Sequence, residues 1–353
     1  MIYEPGGFLI GDCSYYAATA ISLSVDHDLD LSNNLRGGVA AHRSQISMGA
    51  RGEWYPKHPV LLPILSAPLL PLFGVDSFLI VNVAMMLALA WAMFQTCRLV
   101  ACPPAASAAT LGTILGSYLI LYDYNFSADL LSCFFIVAAV QAAASGRTGA
   151  AGLTMGLSAL CSTSRVILLP LLVAFVYWRR RSRGAVLFVA AALAPLAAQA
   201  ALNWWMFGSP AVSPYMRIIE LDGDRVVLHS QMADFTNPIW DGLRGQILDP
   251  RRGLFVTAPV LLACALGAPL WFRRRPDLLL LCLGVSEFLF LFFASYRLWP
   301  TSHVGNRFLM PVVALSAPGL ACIADWLLAR FAAPAPAMAA RPPARGSARS
   351  LVS

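Results

Sequence analysis

Long apolar stretches alternate with short polar ones over most of the chain, from about residue 76 onward. A helix that crosses a membrane needs about 20 predominantly apolar residues. Seven stretches meet this requirement, at 76–100, 104–122, 127–144, 184–206, 254–272, 277–296 and 307–330. The pattern therefore predicts a polytopic membrane protein.

An eighth apolar stretch, at 149–178, is too long for one upright span and short for two. The arginine clusters decide how it crosses, because loops rich in Lys and Arg stay on the cytoplasmic side. Two half-length helices that turn near Ser162 and Ser164 place Arg147 and the clusters at 179–183 and 273–275 on that one side. Such short helices are tolerated where they are buried in protein or line a cavity. We therefore expect an all-α bundle of about nine membrane segments.

This orientation divides the chain into five parts. They are a first external loop at 1–75 with interfacial helices, transmembrane helices at 76–206 including the two half-length helices in 149–178, a second external loop at 207–253, C-terminal transmembrane helices at 254–330, and a disordered cytoplasmic tail at 331–353. Four prolines between residues 58 and 74 argue against a regular span there. They favour a helix that lies at the membrane surface.

Composition supports the membrane interpretation and removes several classes of function. Of the 353 residues, 58% are hydrophobic and only 12% are charged, against about 25% charged in soluble domains. The net charge of +7 comes from arginines in cytoplasmic loops and does not indicate nucleic-acid binding. The eight cysteines form neither a CxxC pair nor a Cys/His cluster, so neither a disulfide framework nor a zinc site is indicated.

The acidic residues are concentrated in the two large external loops. These loops hold 12 of the 18 Asp and Glu side chains. A membrane protein that gathers acids on one side has its binding or chemistry there. The sequence contains neither a glycine-rich phosphate loop nor a nucleotide-binding βαβ pattern.

Several short motifs, taken in order, resemble the GT-C superfamily of bacterial polytopic membrane glycosyltransferases, which is related to protein mannosyltransferases and the aminoarabinose transferase. The motifs lie at Gly11-Asp12, Tyr15-Tyr16, 20–23, 28–34 (DLDLSNN), 57–63 (KHPVLLP), 72–74, 203–210 (NWWMFGSP), 249–255 (DPRRGLF), Trp299 and 305–311 (GNRFLMP). The resemblance implies a GT-C-like helical bundle in the bacterial inner membrane. It also implies transfer of a sugar from a polyprenyl-phosphate donor to a lipid, glycan or protein acceptor on the outer face.

The chain departs from its relatives at three points. Many relatives carry a second acid directly after the first-loop Asp, where this chain has Cys13, and Gly-Gly after the Trp, where it has Pro300 and Thr301. Relatives begin with a span ahead of the first loop, so we expect that a first span has been lost or is encoded upstream of Met1. The Cys13 departure leaves open both a metal-free enzyme and one that uses a divalent cation.

Asp12 is the candidate catalytic residue. In the superfamily, an Asp early in the first external loop acts as the catalytic base, and Asp12 matches that position. A base must lie within hydrogen-bond reach of the hydroxyl that it deprotonates. Spacing alone favours another role, an N-cap, because Asp12 precedes an apparent helix at 13–24.

Cationic side chains near the external loops are candidates for binding the donor phosphate. They are Arg165, Arg307, Arg297, His303, Lys57 and His58. Arg165 sits among apolar residues, and a charge at membrane depth indicates a functional site, although an ion pair with Asp123 or Asp129 is the alternative. Snorkelling of Lys57 to the interface, and simple neutralisation of the acidic first loop by the other cations, are further alternatives.

Asp28 and Asp30 form a possible acceptor or cation site. They alternate with leucines, so an extended backbone places both carboxylates on one face. The alternative is a solvated turn with Asn33 and Asn34. A transporter or flippase of a lipid-linked sugar and a non-catalytic cell-envelope assembly protein also remain compatible with the sequence, although no inverted repeat is evident.

Overall fold

The computed structural model describes residues 11–35, 39–223, 225–301 and 305–331. The predicted tail at 331–353 therefore lies almost wholly outside the described residues. Helices dominate. They are α1 (Asp12–Val25), α2 (Leu61–Ser66), α3 (Leu70–Phe73), α4 (Asp76–Cys97), α5 (Pro103–Leu115), α6 (Ala128–Ala144), α7 (Thr148–Cys161), α8 (Leu169–Phe207), α9 (Ile239–Leu248), α10 (Leu254–Thr257), α11 (Val260–Leu266), α12 (Ala268–Arg274), α13 (Pro276–Ala294) and α14 (Met310–Phe331).

The predicted count of nine membrane segments, two of them half-length, is not confirmed by the helices of the described residues. In the described ranges, four helical runs are long and apolar enough to cross a membrane: Asp76–Cys97, Thr163–Phe207, Pro276–Ala294 and Arg307–Phe331. A fifth would be Pro103–Leu115 with Tyr118–Tyr124, which meet at 70°. The apolar helices α6 and α7, of 17 and 14 residues, are only about 26 and 21 Å long.

The apolar stretch at 149–178 contains a turn. Helix α7 ends at Cys161, a 3-10 turn occupies Thr163–Leu168, and α8 begins at Leu169. The 39-residue α8 is itself broken at Arg181, whose φ of 59° is not helical. One arm of α8 therefore ends in the arginine cluster at 179–183, and the other begins there.

The all-α expectation was wrong in the external part. Strands β1 (Ile46–Met48), β2 (Trp54–Pro56), β3 (Ile218–Asp222) and β4 (Arg225–His229) form an antiparallel sheet in the order β2-β1-β3-β4. Ser47 of β1 pairs with Ile218 of β3, so the sheet joins the two loops that are predicted to be external. Strands of three to five residues are too short to produce a readable alternating pattern, which is why the sequence did not show them.

The segment that is predicted to lie at the membrane surface is not one continuous helix. It consists of α2, a 3-10 turn at Ala67–Leu69 and α3, with a proline in the first turn of both the 3-10 turn and α3. Proline is tolerated at such starts because the missing N–H would have no intrahelical partner. The segment packs against α1 and α4, and so it supports the N-terminal helix that carries Asp12.

Close packing of α7 on α8 depends on glycine. A Cβ at Gly152 would lie 2.0 Å from the Phe188 carbonyl oxygen, whereas a Cβ at Gly149 meets only the flexible Leu187 side chain at 3.5 Å. We expect Gly152→Ala to lower the free energy of unfolding by about 1–3 kcal/mol, because the two backbones must separate. Gly149→Ala is the matched control and should be neutral or stabilising. Thermal unfolding of the purified protein in detergent measures both, and equal melting temperatures for the two variants would contradict this packing.

Candidate active site

A cavity of about 340 Å³ opens at the end of the bundle that carries the loops predicted to be external. It is lined from seven parts of the chain: the start of α1, the first loop between Ser44 and His58, the segment 122–129, the end of α7, the second predicted external loop, the connection that follows α13, and the 3-10 turn Arg307–Leu309. The lining side chains that can form hydrogen bonds, carry charge or react are Asp12, Cys13, Tyr16, Gln45, Lys57, His58, Tyr122, Asn125, Asp129, Ser162, Tyr215, Gln231, Tyr296, Thr301 and Arg307.

Asp12 is the first residue of α1, but it does not cap that helix. Gly11 is the N-cap residue, and no side chain accepts a capping hydrogen bond there. Instead, Asp12 Oδ2 lies 2.6 Å from Arg307 Nη1, and Asp12 Oδ1 lies 3.4 Å from His58 Nε2. The capping role that spacing favours is therefore wrong, because the carboxylate faces the cavity and is held by Arg307 beside His58.

Arg307 connects the two carboxylates of the cavity. Its Nη1 lies 2.6 Å from Asp12 Oδ2 and 3.8 Å from Asp129 Oδ2. The short 3-10 turn that carries it is fixed by Asn306, which accepts a hydrogen bond from the Phe308 N–H at 3.1 Å and receives one from the Tyr118 hydroxyl on its carbonyl at 2.7 Å. Because of this support, the guanidinium occupies a defined position between Asp12 and Asp129.

His58 and Lys57 complete the charged end of the cavity. The His58 ring stacks on Tyr16 at 5.0 Å between centroids, and its 3.4 Å contact with Asp12 is not aligned as a hydrogen bond. Lys57 donates a hydrogen bond to the Ser44 carbonyl. Both residues follow directly after β2, so the sheet sets their positions.

Burial and charge act in opposite directions on the Asp12 carboxyl. Burial alone would raise the pKa of Asp12, but His58, Arg307 and Lys57 together hold that pKa well below its usual range. Burial lowers the pKa of His58 despite the nearby Asp12, and it also lowers the pKa of Lys57. At neutral pH the carboxylate of Asp12 is therefore ionised, and the His58 imidazole favours its neutral form.

Cys13 does not supply the negative charge of the second acid that the sequence resemblance leads one to expect after Asp12. Its Sγ donates a hydrogen bond to Asn125 Oδ1 at 3.3 Å, and burial raises its pKa to about 12. The thiol is thus protonated and is a poor nucleophile. Among the described side chains, no three His, Cys, Asp or Glu groups are arranged as a metal ion would require.

Arg165 is buried beside the cavity instead of lining it. Only 1% of its surface is exposed, its Nη1 donates to the Phe308 carbonyl at 3.2 Å, and its guanidinium lies 5.2 Å from the Phe293 ring centroid. Within the described part of the chain it makes no ion pair with Asp123 or Asp129. Its contact is with the turn that carries Arg307.

The other predicted residues lie elsewhere. Arg297 is ion-paired to Asp234 at 2.8 Å and is mostly exposed, and His303 falls outside the described residues. Asp28 accepts hydrogen bonds from Ser22 and from its own loop backbone, and Asp30 accepts from the Ser32 and Trp54 N–H groups. Neither Asp28 nor Asp30 lines the cavity, and the contacts of both are those of a structured turn.

Sequence reasoning missed several cavity residues. Asp129 was weighed only as a partner for Arg165, although an acid at the start of an apolar helix is itself a signal. Tyr215, Gln231 and Tyr296 had no such signal, because neutral polar residues are common in external loops. Only the fold brings them to the same cavity.

No protein-family model matches the chain, and no curated protein matches its sequence. Solved structures do match it in shape. ArnT from Cupriavidus metallidurans bound to undecaprenyl phosphate aligns with 88% of this chain and 56% of its own, at a TM-score of 0.57 and 12% identity. The oligosaccharyltransferase AglB from Archaeoglobus fulgidus, in complex with an inhibitory peptide and a dolichol-phosphate, aligns with 90% of this chain and 46% of its own, at a TM-score of 0.54 and 12% identity. This chain has a GT-C-like fold.

The GT-C-like fold confirms the resemblance seen in the sequence motifs and places the chain among membrane proteins. ArnT without ligand gives a similar result, with a TM-score of 0.55 and 16% identity over 92% of this chain. The chain spans about half the length of these proteins. At such low identities the likeness establishes the fold, and the chemistry must be argued from the cavity.

Proposed function

We propose that this protein is a membrane glycosyltransferase that moves a sugar from a polyprenyl-phosphate donor to an acceptor hydroxyl on a lipid, glycan or protein. The observation that carries the proposal is the contact of Arg307 with Asp12 and Asp129 inside a cavity at one end of a GT-C-like bundle. A cation that is held between carboxylates can also bind a phosphate, and the carboxylate beside it can act as a base.

The proposed reaction is one displacement at the anomeric carbon. The acceptor oxygen attacks that carbon, the bond from the carbon to the phosphate oxygen breaks, and its electron pair leaves with the polyprenyl phosphate. Asp12 takes the proton of the acceptor hydroxyl. Arg307 and Lys57 stabilise the negative charge that develops on the phosphate, which is the usual work of fixed cations in a buried site, and the neutral His58 ring donates a hydrogen bond to it.

Donor binding would prepare Asp12 for this role. Without a donor, the low pKa of Asp12 makes it a weak base. An anionic phosphate near Arg307 and Lys57 competes for their charge and lies close to Asp12, and both effects raise the pKa of a carboxyl group. The base would thus gain strength only when the donor is present.

Arg165 would support this site indirectly. It binds the Phe308 carbonyl, and Phe308 is the residue next to Arg307. We therefore assign the phosphate to Arg307, Lys57 and His58, and we give Arg165 a positioning role. Arg297, held by Asp234, would not contact the phosphate.

The charged residues at the other end of the bundle support a cavity that faces the outer side of the membrane. Asp277, at the start of α13, binds Arg275 at 3.0 Å and Arg179 at 3.2 Å, which brings the two arginine clusters together. Helix α13 is 19 residues, or about 28 Å, long and ends next to the cavity residue Tyr296. If the clusters are cytoplasmic, as their composition predicts, the cavity lies on the outer face.

Deletion of the gene in the native host tests the proposal. We expect one sugar to disappear from the cell-envelope glycans, as measured by mass spectrometry, and to return on complementation with the wild type. The mass that is lost identifies the sugar. An unchanged glycan profile in the deletion strain would contradict a transferase role.

A further inference from the structure

Charged and uncharged polar side chains both line the cavity. We call the titratable set Asp12, Lys57, His58, Asp129 and Arg307 the charged end, and we call three of the uncharged residues, Gln231, Tyr296 and Thr301, the uncharged wall. The uncharged wall comes from the second external loop and from the connection between α13 and α14. It has no part in the proposed proton transfer or phosphate contacts, and so its function is open.

The uncharged wall is held in place by a buried acid. Asp234, 5% exposed, accepts a hydrogen bond from Arg297 Nη2 at 2.8 Å, and its carbonyl accepts one from the Arg297 N–H at 2.8 Å. His229 Nε2 lies 3.2 Å from the other Asp234 oxygen. These contacts fasten the 3-10 turn Gln231–Asp234 to the residues that follow α13, and they place Gln231 beside Tyr296.

Gln231 and Tyr296 together offer what a sugar hydroxyl needs. Gln231 Nε2 donates a hydrogen bond to the Tyr296 hydroxyl oxygen. The amide oxygen of Gln231 remains an acceptor, and the Tyr296 hydroxyl still has a hydrogen to donate. A sugar hydroxyl both donates and accepts, so it can bind both groups at once.

The charges of the cavity indicate which sugars it rejects. Among the described residues that line it, the carboxylates are Asp12 and Asp129, and both contact Arg307. A sugar that carries an ammonium group would enter a cavity that already holds the cations Arg307 and Lys57. It would find no carboxylate that is not shared with an arginine, and burying an unpaired charge is costly.

We propose that the donor sugar is uncharged, that its hydroxyls bind Gln231 and Tyr296, and that Gln231 sets this specificity. The proposal rests on the proposed function and adds the chemical class of the sugar. In this arrangement the phosphate lies at the charged end and the sugar lies against the uncharged wall. Asp234 acts on specificity only through the position of Gln231.

Competitive binding tests the proposal without knowledge of the acceptor. The probes are short-chain polyprenyl phosphates that carry no sugar, a neutral hexose, a neutral pentose, or the same pentose with one hydroxyl replaced by an amine. Each probe displaces a fluorescent short-chain polyprenyl phosphate from the protein in nanodiscs. We expect a neutral sugar to bind more tightly than the lipid phosphate alone, and the amino sugar to bind at least about 10-fold more weakly than its neutral partner.

Two glutamate variants locate the specificity. Gln231→Glu places a carboxylate in the uncharged wall, and we expect it to shift the ratio of the two pentose affinities toward the amino sugar by at least about 10-fold. Gln45→Glu adds the same charge elsewhere in the cavity lining and should shift the ratio much less. Tyr296→Phe should weaken the neutral sugars by about 5-fold, through one lost hydrogen bond.

The outcomes separate the two proposals. Equal binding of the amino and neutral pentoses by the wild type, no gain from either neutral sugar, or equal shifts in the two glutamate variants would each overturn the specificity proposal while leaving phosphate binding intact. If none of the probes binds, including the sugar-free lipid phosphate, both proposals fall. A folded state for each variant is confirmed by an unchanged melting temperature.

Discussion

Asp12→Asn should reduce sugar transfer by about 10²- to 10⁴-fold, the range typical for loss of a general base. Asparagine keeps the shape of the side chain but cannot take the acceptor's proton. Donor binding should survive, because Arg307 and Lys57 remain and the site loses a negative charge that competes with the phosphate. The expected signature is therefore lost turnover with donor affinity that is equal to or higher than that of the wild type.

The measurement combines the native host with the purified protein. A deletion strain complemented with Asp12→Asn at matched membrane abundance should lack the same envelope sugar as the deletion itself, and displacement of a fluorescent polyprenyl phosphate should give the donor affinity. Asp26→Asn is the matched control, since Asp26 is exposed at the end of the same helix and only accepts a hydrogen bond from Asn34. Full restoration of the sugar by Asp12→Asn would remove the base assignment and favour transport or scaffolding.

The membrane character of the chain and the candidate role of Asp12 could be predicted from the sequence because they depend on local patterns. Apolar length identifies helices such as α4 and α13, and the motif around Asp12 is contiguous. The contact of Arg307 with Asp12 could not be predicted from local patterns, since 295 positions separate the two residues. Both residues could be proposed separately, but their contact follows only from the packing of α1 near the start of α14.

The sheet shows why the external loops could not be predicted in detail. Its central contact pairs Ser47 with Ile218, and neither β1 nor β3 has a strand pattern of useful length. Such strands are stabilised by the partner that they find, and not by their own propensity. The sheet positions Lys57 and His58. The residues that line the cavity therefore depend on the pairing of β1 with β3, which the sequence pattern does not predict.

Arg165 illustrates a sound rule with an unexpected result. A buried arginine in an apolar setting suggested direct phosphate binding. The side chain instead donates a hydrogen bond to the Phe308 carbonyl and lies over the Phe293 ring, beside the cavity and not in its lining. The rule correctly marks the place as important. It cannot distinguish a cation that binds the ligand, as proposed for Arg307, from a cation that fixes the turn carrying it, as Arg165 does.

Arg307→Ala should have the second large effect, because it removes a charge that serves two carboxylates. Asp12 and Asp129 would both remain in the cavity without their shared cation. Removal of one partner from a buried ion pair is strongly destabilising, and we expect a loss of about 3 kcal/mol in the free energy of unfolding. Transfer should fall below detection, since the donor phosphate also loses its main cation.

A double variant separates these two effects. In Arg307→Ala with Asp12→Asn, one of the two unpaired carboxylates is gone, so part of the stability should return, while donor binding should not. Thermal unfolding and displacement of a fluorescent polyprenyl phosphate measure the two quantities, and Arg51→Ala, at an exposed arginine of the first loop, is the control that should change neither. If the double variant were less stable than Arg307→Ala alone, Arg307 would not be compensating Asp12. If Arg307→Ala kept wild-type donor affinity, the phosphate would have to be bound elsewhere, and the charged end of the cavity would lose its assigned role.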